Sequence, residues 1–368
     1  MHSPYISALK QSDTKKIIAF LRQQYGEKYY GADEVHFEWL YQNFPCDWFQ
    51  PYRDKGLFPG NAIFADDGTI NALHLYLPFD AQTPTGTAVG IFDEEWISNG
   101  VVKGGGRLLA SHLLSQVNVY CGLGCNDLSE NAFKKIGLTF RNEIPRLVAV
   151  LDKPGLSTLL SDSGYSDAIA SLPQQQSPTE AWHLIENCSS IPSDLIQVCW
   201  DQMTFGVPHD RRWLDWRFDQ HPYISYQVIS PDADGNRGVA VIRIEQPLHT
   251  GLKVARIVDF LAPHGQEGSV MMAAASFAVE QNCLLIDFTM SSEAAVDTIQ
   301  KQSALKGLSL DRNPHVPYMY QPCAYGSKSN VNMAIWTSLN AEVMNFSAVK
   351  SDSTQDVIRS PDTAAQLS

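Results

Sequence analysis

Several groups in the 368-residue sequence bring together residue types that can do chemistry. The run Gly104-Gly105-Gly106 stands between Lys103 and Arg107 and opens an apolar, helix-spaced stretch. Bare amides at such a helix start favour a phosphate or diphosphate, and glycine lets the ligand approach the backbone. It is not a P-loop, because no Gly-Lys-Ser/Thr follows at the required spacing. Nor is it a dinucleotide fingerprint, because the strands before it read as hairpins. Asp93, Glu94 and Glu95 end the apolar run just upstream. A carboxylate crowded by like charge and partly buried keeps its proton to higher pH, which makes it a better proton acceptor near neutrality. His74, in the run 70–77, is the next candidate base. Arg211, Arg212 and Arg217 stand among Trp213, Trp216, His221 and Tyr223, a mixture that suits a diphosphate and a stacked ring. The same arginines can instead pair with Asp210, Asp215 and Asp219 around a core helix.

The elements that must position these groups follow from pattern. Residues 14–25 repeat apolar positions at helical spacing, 62–65, 70–77 and 89–97 read as strands, and 106–116 reads as a helix. A strand over 117–120, a helix over 129–136 and a strand over 146–151 complete this half. Hairpins come first and helices later, so the class is α/β (α+β mixed) with a mostly antiparallel sheet. Alternation on the third strand puts Asp93 and Glu95 on one face and Glu94 on the other. Residues 173–179, rich in Gln and Pro, read as a linker, and 347–368 as a flexible polar tail.

Composition narrows the partners. Lys plus Arg is 27 against 40 Asp plus Glu, a net charge of −13 that repels nucleic acid and anionic lipid surfaces. No nucleic-acid or membrane partner is expected. The longest apolar stretch, 270–279, is half of the roughly 20 residues a membrane helix needs, and residues 1–11 carry no basic-then-apolar leader. A cytoplasmic protein is expected. Seven scattered cysteines contain no Cys-x-x-Cys, so no metal site is expected. Cys121 and Cys125 have no paired His nearby and read as small buried residues rather than nucleophiles.

Three landmarks recur in order, which indicates a doubled unit. The segment 37–45 (apolar, acid, Trp, any, aromatic, then Pro four residues on) returns at 214–222. Asp67-Gly68 and Asp234-Gly235 each mark a hairpin turn. Lys135-Ile136-Gly137-Leu138 is echoed by Leu305-Lys306-Gly307-Leu308. The expected division is a first unit over 1–172, a second over 173–346, and the tail.

Residues 89–140 resemble the acyl-CoA-binding part of the GCN5-related N-acetyltransferase (GNAT) superfamily. That family has Arg/Gln-x-x-Gly-x-Gly/Ala opening a helix, and here Val101, Gly104 and Gly106 fill the three motif positions. Asn126 matches an Asn after the next strand, Phe133 falls where a Tyr is often the general acid, and Gly137-Leu138 matches a closing Gly-Phe. The resemblance implies two tandem GNAT-like domains and acyl-CoA as co-substrate. Its pantetheine and diphosphate would be held by Trp96, Ile97, Ser98, Lys103, Gly104, Gly105, Gly106, Arg107, Asn126 and Phe133. It further implies direct attack by an amine, with the oxyanion at backbone amides near 96–98. The second copy has Ala262-Pro263-His264-Gly265-Gln266-Glu267-Gly268 in place of the glycine run and is expected not to bind CoA. The segment around Arg211, Arg212, Trp216, Arg217, His221 and Tyr223 resembles tandem GNAT-like proteins of bacterial surface-sugar pathways. This implies a nucleotide-linked amino sugar, such as a dTDP-3-amino-3,6-dideoxyhexose, as acceptor, with an acetyl or hydroxyacyl group such as 3-hydroxybutanoyl transferred. Another small amine or a peptide as acceptor, or CoA binding without turnover, are the alternatives.

Overall fold

Short Gly-containing turns join long β-branched and aromatic runs into two sheets. The computed structural model describes residues 5–27, 29–125, 127–159, 180–246, 251–303, 305–307, 331–339, 342 and 346–349. The strands are β1 (Ile6–Lys10), β2 (Leu57–Phe64), β3 (Ile70–Thr83), β4 (Gly86–Ser98), β5 (Val119–Leu123), β6 (Thr139–Ile144) and β7 (Arg146–Val150). They continue as β8 (His183–Ile185), β9 (Gln227–Ser230), β10 (Val239–Glu245), β11 (Lys253–Leu261), β12 (Cys283–Thr289), β13 (Lys306–Gly307) and β14 (Val331–Thr337). The α-helices are α1 (Thr14–Tyr25), α2 (Glu34–Gln42), α3 (Gln50–Arg53), α4 (Gly105–Leu114), α5 (Asp127–Lys135) and α6 (Lys153–Leu159). After them come α7 (Ser193–Gln202), α8 (Arg211–Leu214), which runs on through a π turn over Asp215–Asp219, α9 (Glu267–Glu280) and α10 (Glu293–Gln302).

The first sheet has the order β1-β2-β3-β4-β5-β14-β6 and the second, read from its matching end, β8-β9-β10-β11-β12-β7-β13. The two orders coincide except that β7 and β14 are exchanged. Pairing is antiparallel apart from β4 with β5 and β11 with β12. Both Asp-Gly pairs sit where the hairpin reading put them, between β2 and β3 and between β9 and β10, with Gly68 at φ 81° and Gly235 at φ 73°.

The exchange corrects the division at 172/173, because β14 completes the first sheet and β7 lies inside the second. Alternation marks 146–151 as a strand but carries no information about which sheet receives it. The linker over 173–179 lies outside the described residues. The tail reading is corrected at its start: Ser347 bridges Gly206, Val349 bridges Met290, and Ala348 and Val349 are buried. Two small apolar residues at 348 and 349 suffice to seat this stretch between the halves. No described helix is long and apolar enough to cross a membrane. The apolar stretch 270–279 lies within α9, whose Ala273, Ala274 and Ala275 are fully buried against the second sheet.

The seam between the halves is built from the repeated landmark. Asp33 caps α2 by accepting from His36 N, and Asp210 caps α8 by accepting from Trp213 N. Trp39 Nε1 donates to the Trp216 carbonyl at 3.0 Å, and Trp216 Nε1 donates back to the Trp39 carbonyl at 3.0 Å. The two rings stack with centroids 5.2 Å apart. Each indole thus satisfies a buried carbonyl of the other half. Trp39→Ala and Trp216→Ala are each expected to lower stability by about 3–5 kcal/mol. Their effects in urea unfolding should be non-additive by about 0.5–3 kcal/mol, as befits residues that share both bonds.

Candidate functional site

Ladder pairing between β4 and β5 runs from Gly90 with Val119 to Asp93 with Gly122 and ends there. Residues 94–98 go on beside β3 alone, so the edge of β4 that faced β5 carries backbone groups outside any β5 ladder. At the same point the β3 register skips a residue: Tyr76 pairs with Asp93 and Leu75 with Glu95, which leaves Glu94 as a bulge.

The bulge corrects the facing of the three carboxylates. His74 pairs with Trp96 and Leu75 with Glu95, so Trp96 and Glu95 point to opposite faces. Asp93 lies with His74, its Oδ1 2.6 Å from His74 Nε2 and 2.9 Å from the Tyr120 hydroxyl that donates to it. His74 and Tyr120 are fully buried, and burial, then the Asp93 charge, pushes the Tyr120 hydroxyl well above its usual range. Such a His, packed parallel to Trp96 at 6.0 Å, braces the strand rather than meeting a substrate. Glu95 faces the other way, toward the end of α1, where the Tyr29 hydroxyl donates to Oε1. Burial is the largest influence on Glu95 and lifts its carboxyl from the ordinary value near 4.5 to about 7; Asp93 adds to this, and the hydrogen bonds from Tyr29 and Tyr25 oppose it. Burial, followed by the charges of Glu94 and Glu95, also raises the Tyr41 hydroxyl.

The glycine run occupies the surface. Lys103, Gly104 and Arg107 are exposed, and Gly104 takes φ 75°, the left-handed conformation, as the N-cap of α4. A Cβ on Gly104 would meet nothing within 4 Å, so the backbone there is open to a ligand. Gly105 N bonds back to the Val102 carbonyl and Leu108 N to Gly104, while the amides of Gly106 and Arg107 have no described backbone acceptor. Gly106 has a second reason to lack a side chain: its Cβ would stand 2.9 Å from Trp96 Nε1, which donates to the Gly106 carbonyl at 2.7 Å. Trp96 therefore ties β4 to the start of α4. These residues fit a diphosphate at the helix start. Ile97 is buried and Ser98 exposed. Gly105 packs against Ala72 and Val102, which makes it a close-approach glycine rather than an open one.

Phe133 is corrected from a cofactor contact to a core residue. It is fully buried, stacks on Trp96 at 4.9 Å and meets the Tyr120 ring edge-on. The Tyr120 hydroxyl, held on Asp93 beside this ring, was missed by sequence reasoning together with Tyr25 and Tyr29. All three read as ordinary core aromatics in a linear pattern. Asn126 lies outside the described residues. Burial raises the Cys125 thiol, with Asp93 adding to it, so that side chain is no nucleophile near neutrality.

The arginine-aromatic segment is engaged in the seam. Arg211 donates to the carbonyls of Ser189 and Ile191. Arg212 reaches Asp47 with two bonds of 2.7 and 3.1 Å and Asp210 at 3.0 Å. Arg217 is fully buried, its guanidinium 5.3 Å over the Trp39 ring and 5.9 Å over the Trp216 ring. His221 Nδ1 accepts from the amides of Tyr223 and Ile224, and burial followed by the Arg217 charge pulls this imidazole down to about 2. The Tyr223 hydroxyl donates to Asp33. Intramolecular carboxylates and carbonyls thus engage Arg211, Arg212 and the Tyr223 hydroxyl, three of the groups that the diphosphate reading assigned to a ligand.

No protein-family model matches the chain, and no curated protein matches it in sequence. Solved structures match in fold. A GCN5-related N-acetyltransferase from Anabaena variabilis ATCC 29413 aligns with a TM-score of 0.56 at 10% identity, over 93% of this chain and 73% of that one. A probable N-acyltransferase from Enterococcus faecalis V583 aligns with a TM-score of 0.53 at 9% identity, over 91% and 73%. The chain has the fold of the GCN5-related N-acetyltransferases.

Proposed function

We propose that the protein is an acyl-CoA-dependent N-acyltransferase acting by direct attack of a small amine. The observation that carries this reading is Glu95: a buried carboxyl poised near pH 7, at the point where β4 leaves β5 and on the same strand that Trp96 ties to the open start of α4. Lys103, Gly104, Gly106 and Arg107 would hold the coenzyme's diphosphate, and CoA supplies the activated acyl thioester. Glu95 takes the proton that the amine sheds on attack, with Tyr29 and Tyr25 holding the carboxylate in place. Backbone amides on the unpaired edge of residues 94–98 face the developing oxyanion. A thiol with an ordinary value near 8.5 leaves readily as its thiolate, so Phe133 in place of an acid is tolerable.

The acceptor is read as a small amine, and a dTDP-linked amino sugar is the first compound to try. The cavity of about 190 Å³ at the seam holds Arg212 but also Asp47, Asp80 and Asp210, which weighs against a diphosphate there. Thiol release from acetyl-CoA over a panel of amines tests the reading. Turnover with at least one amine, together with a rise in melting temperature on adding CoA, is expected; the absence of both overturns it.

A further inference from the structure

The second half repeats the geometry of Glu95 with different chemistry. Pairing of β11 with β12 ends at Ile257 with Phe288, and the β10 register then skips Val258, so Asp259 stands one residue past a bulge just as Glu95 does. Asp259 is fully buried. Its Oδ1 accepts from Phe260 N at 2.6 Å. Its Oδ2 makes no hydrogen bond among the described residues, and His209 Nδ1 stands 2.8 Å away. His209 in turn lies flat on Trp213, with centroids 3.7 Å apart.

Asp259 lines a defined cavity of about 180 Å³. Trp200, Phe205 and Phe260 contribute aromatic wall, and Asp259 and Glu267 contribute carboxylates. No Lys or Arg is among its described lining residues. Burial, then Asp259 and Glu267, pushes the Cys199 thiol in the same wall up to about 12. The start of α9 above the cavity is closed to an anion: the Glu267 carboxylate accepts from Gly265 N at 2.6 Å and lies 3.4 Å from His264 Nδ1. A coenzyme diphosphate would meet a carboxylate where α4 offers bare amides.

We propose that this cavity is a second small-molecule site, which takes a compact organic ammonium with a single apolar ring or branch, its charge beside Asp259 and Glu267 and its body against Trp200, Phe205 and Phe260. An enclosed apolar cavity of about 150 Å³ accepts benzene, so this one has room for a ring and a short amine arm. Aromatic walls favour a cation over an isosteric neutral group, and the buried Asp259 carboxylate behind them adds to that preference.

The test is thermal shift of the full chain without CoA, using benzylamine, benzyl alcohol and benzoate as probes. Benzylamine at about ten times its Kd should raise Tm by about 2 °C, with a smaller rise for the alcohol and none for benzoate. Asp259→Asn should abolish the benzylamine shift. Ala295→Phe fills the same cavity from a half-buried position on α10 and should abolish it without touching the carboxylate. Glu95→Gln should leave it intact, which separates this site from the amine site of the proposed acyl transfer. Equal shifts for amine and alcohol overturn the proposal, as does no shift for any probe. A shift that survives Ala295→Phe but disappears in Glu95→Gln places the amine in the first half and overturns it equally.

Discussion

Glu95→Gln should lose about 10²- to 10⁴-fold in kcat while the folded protein becomes more stable above pH 7. The two effects share one cause. Folding moves the Glu95 carboxyl from its ordinary 4.5 to about 7, chiefly by burial. The folded state therefore holds this proton more tightly than the unfolded chain does. Its contribution to stability is full below pH 4.5 and is lost as pH rises through 7. Two and a half units correspond to about 3 kcal/mol by pH 8, and the neutral amide removes that loss while still accepting from Tyr29. Urea unfolding at pH 5 and pH 8 reads the stability effect: the variant's advantage should be small at pH 5 and about 1–3 kcal/mol at pH 8. The parent's kcat/KM should climb with pH to a midpoint near 7, and that limb should vanish in Glu95→Gln. A variant equally active and no more stable at pH 8 would remove Glu95 from the chemistry.

How far the sequence discloses this arrangement depends on what each feature consults. The duplicated segment around Trp39 and Trp216 is legible because its spacing is local, and the structure turns it into a reciprocal contact. The exchange of β7 and β14 is not legible, because a strand's alternation states which face is buried and not which neighbours it joins. The bulge at Glu94 is hidden for a related reason: period-two alternation assumes an unbroken register, and one skipped residue sends Asp93 and Glu95 to opposite faces. Gly106 is singled out correctly but does double service, since Trp96 also needs the space. The arginine cluster misleads because Asp47, which engages Arg212, is distant in sequence and close only in the fold.

Gly104→Glu should weaken CoA binding by about 100-fold and leave the fold intact. Gly104 sits at φ 75° with open space around it, so a side chain there meets no neighbour and its penalty is that of the left-handed conformation, about 1–2 kcal/mol. That cost appears in urea unfolding. The loss of CoA has a separate origin. A carboxylate beside the unpaired amides of Gly106 and Arg107 competes for the donors that would hold a diphosphate, and each charge-assisted hydrogen bond lost is worth about 1.5–3 kcal/mol. Gly104→Ala separates the two effects: it carries the same backbone strain without the charge and should bind CoA within about tenfold of the parent. The protein already contains the result of such a change, since Glu267 closes the start of α9 over Gly265 in the second half. Isothermal titration with CoA provides the check. Undiminished affinity in Gly104→Glu would mean that the diphosphate lies elsewhere, whereas equal losses in the Ala and Glu variants would assign the effect to backbone conformation rather than charge.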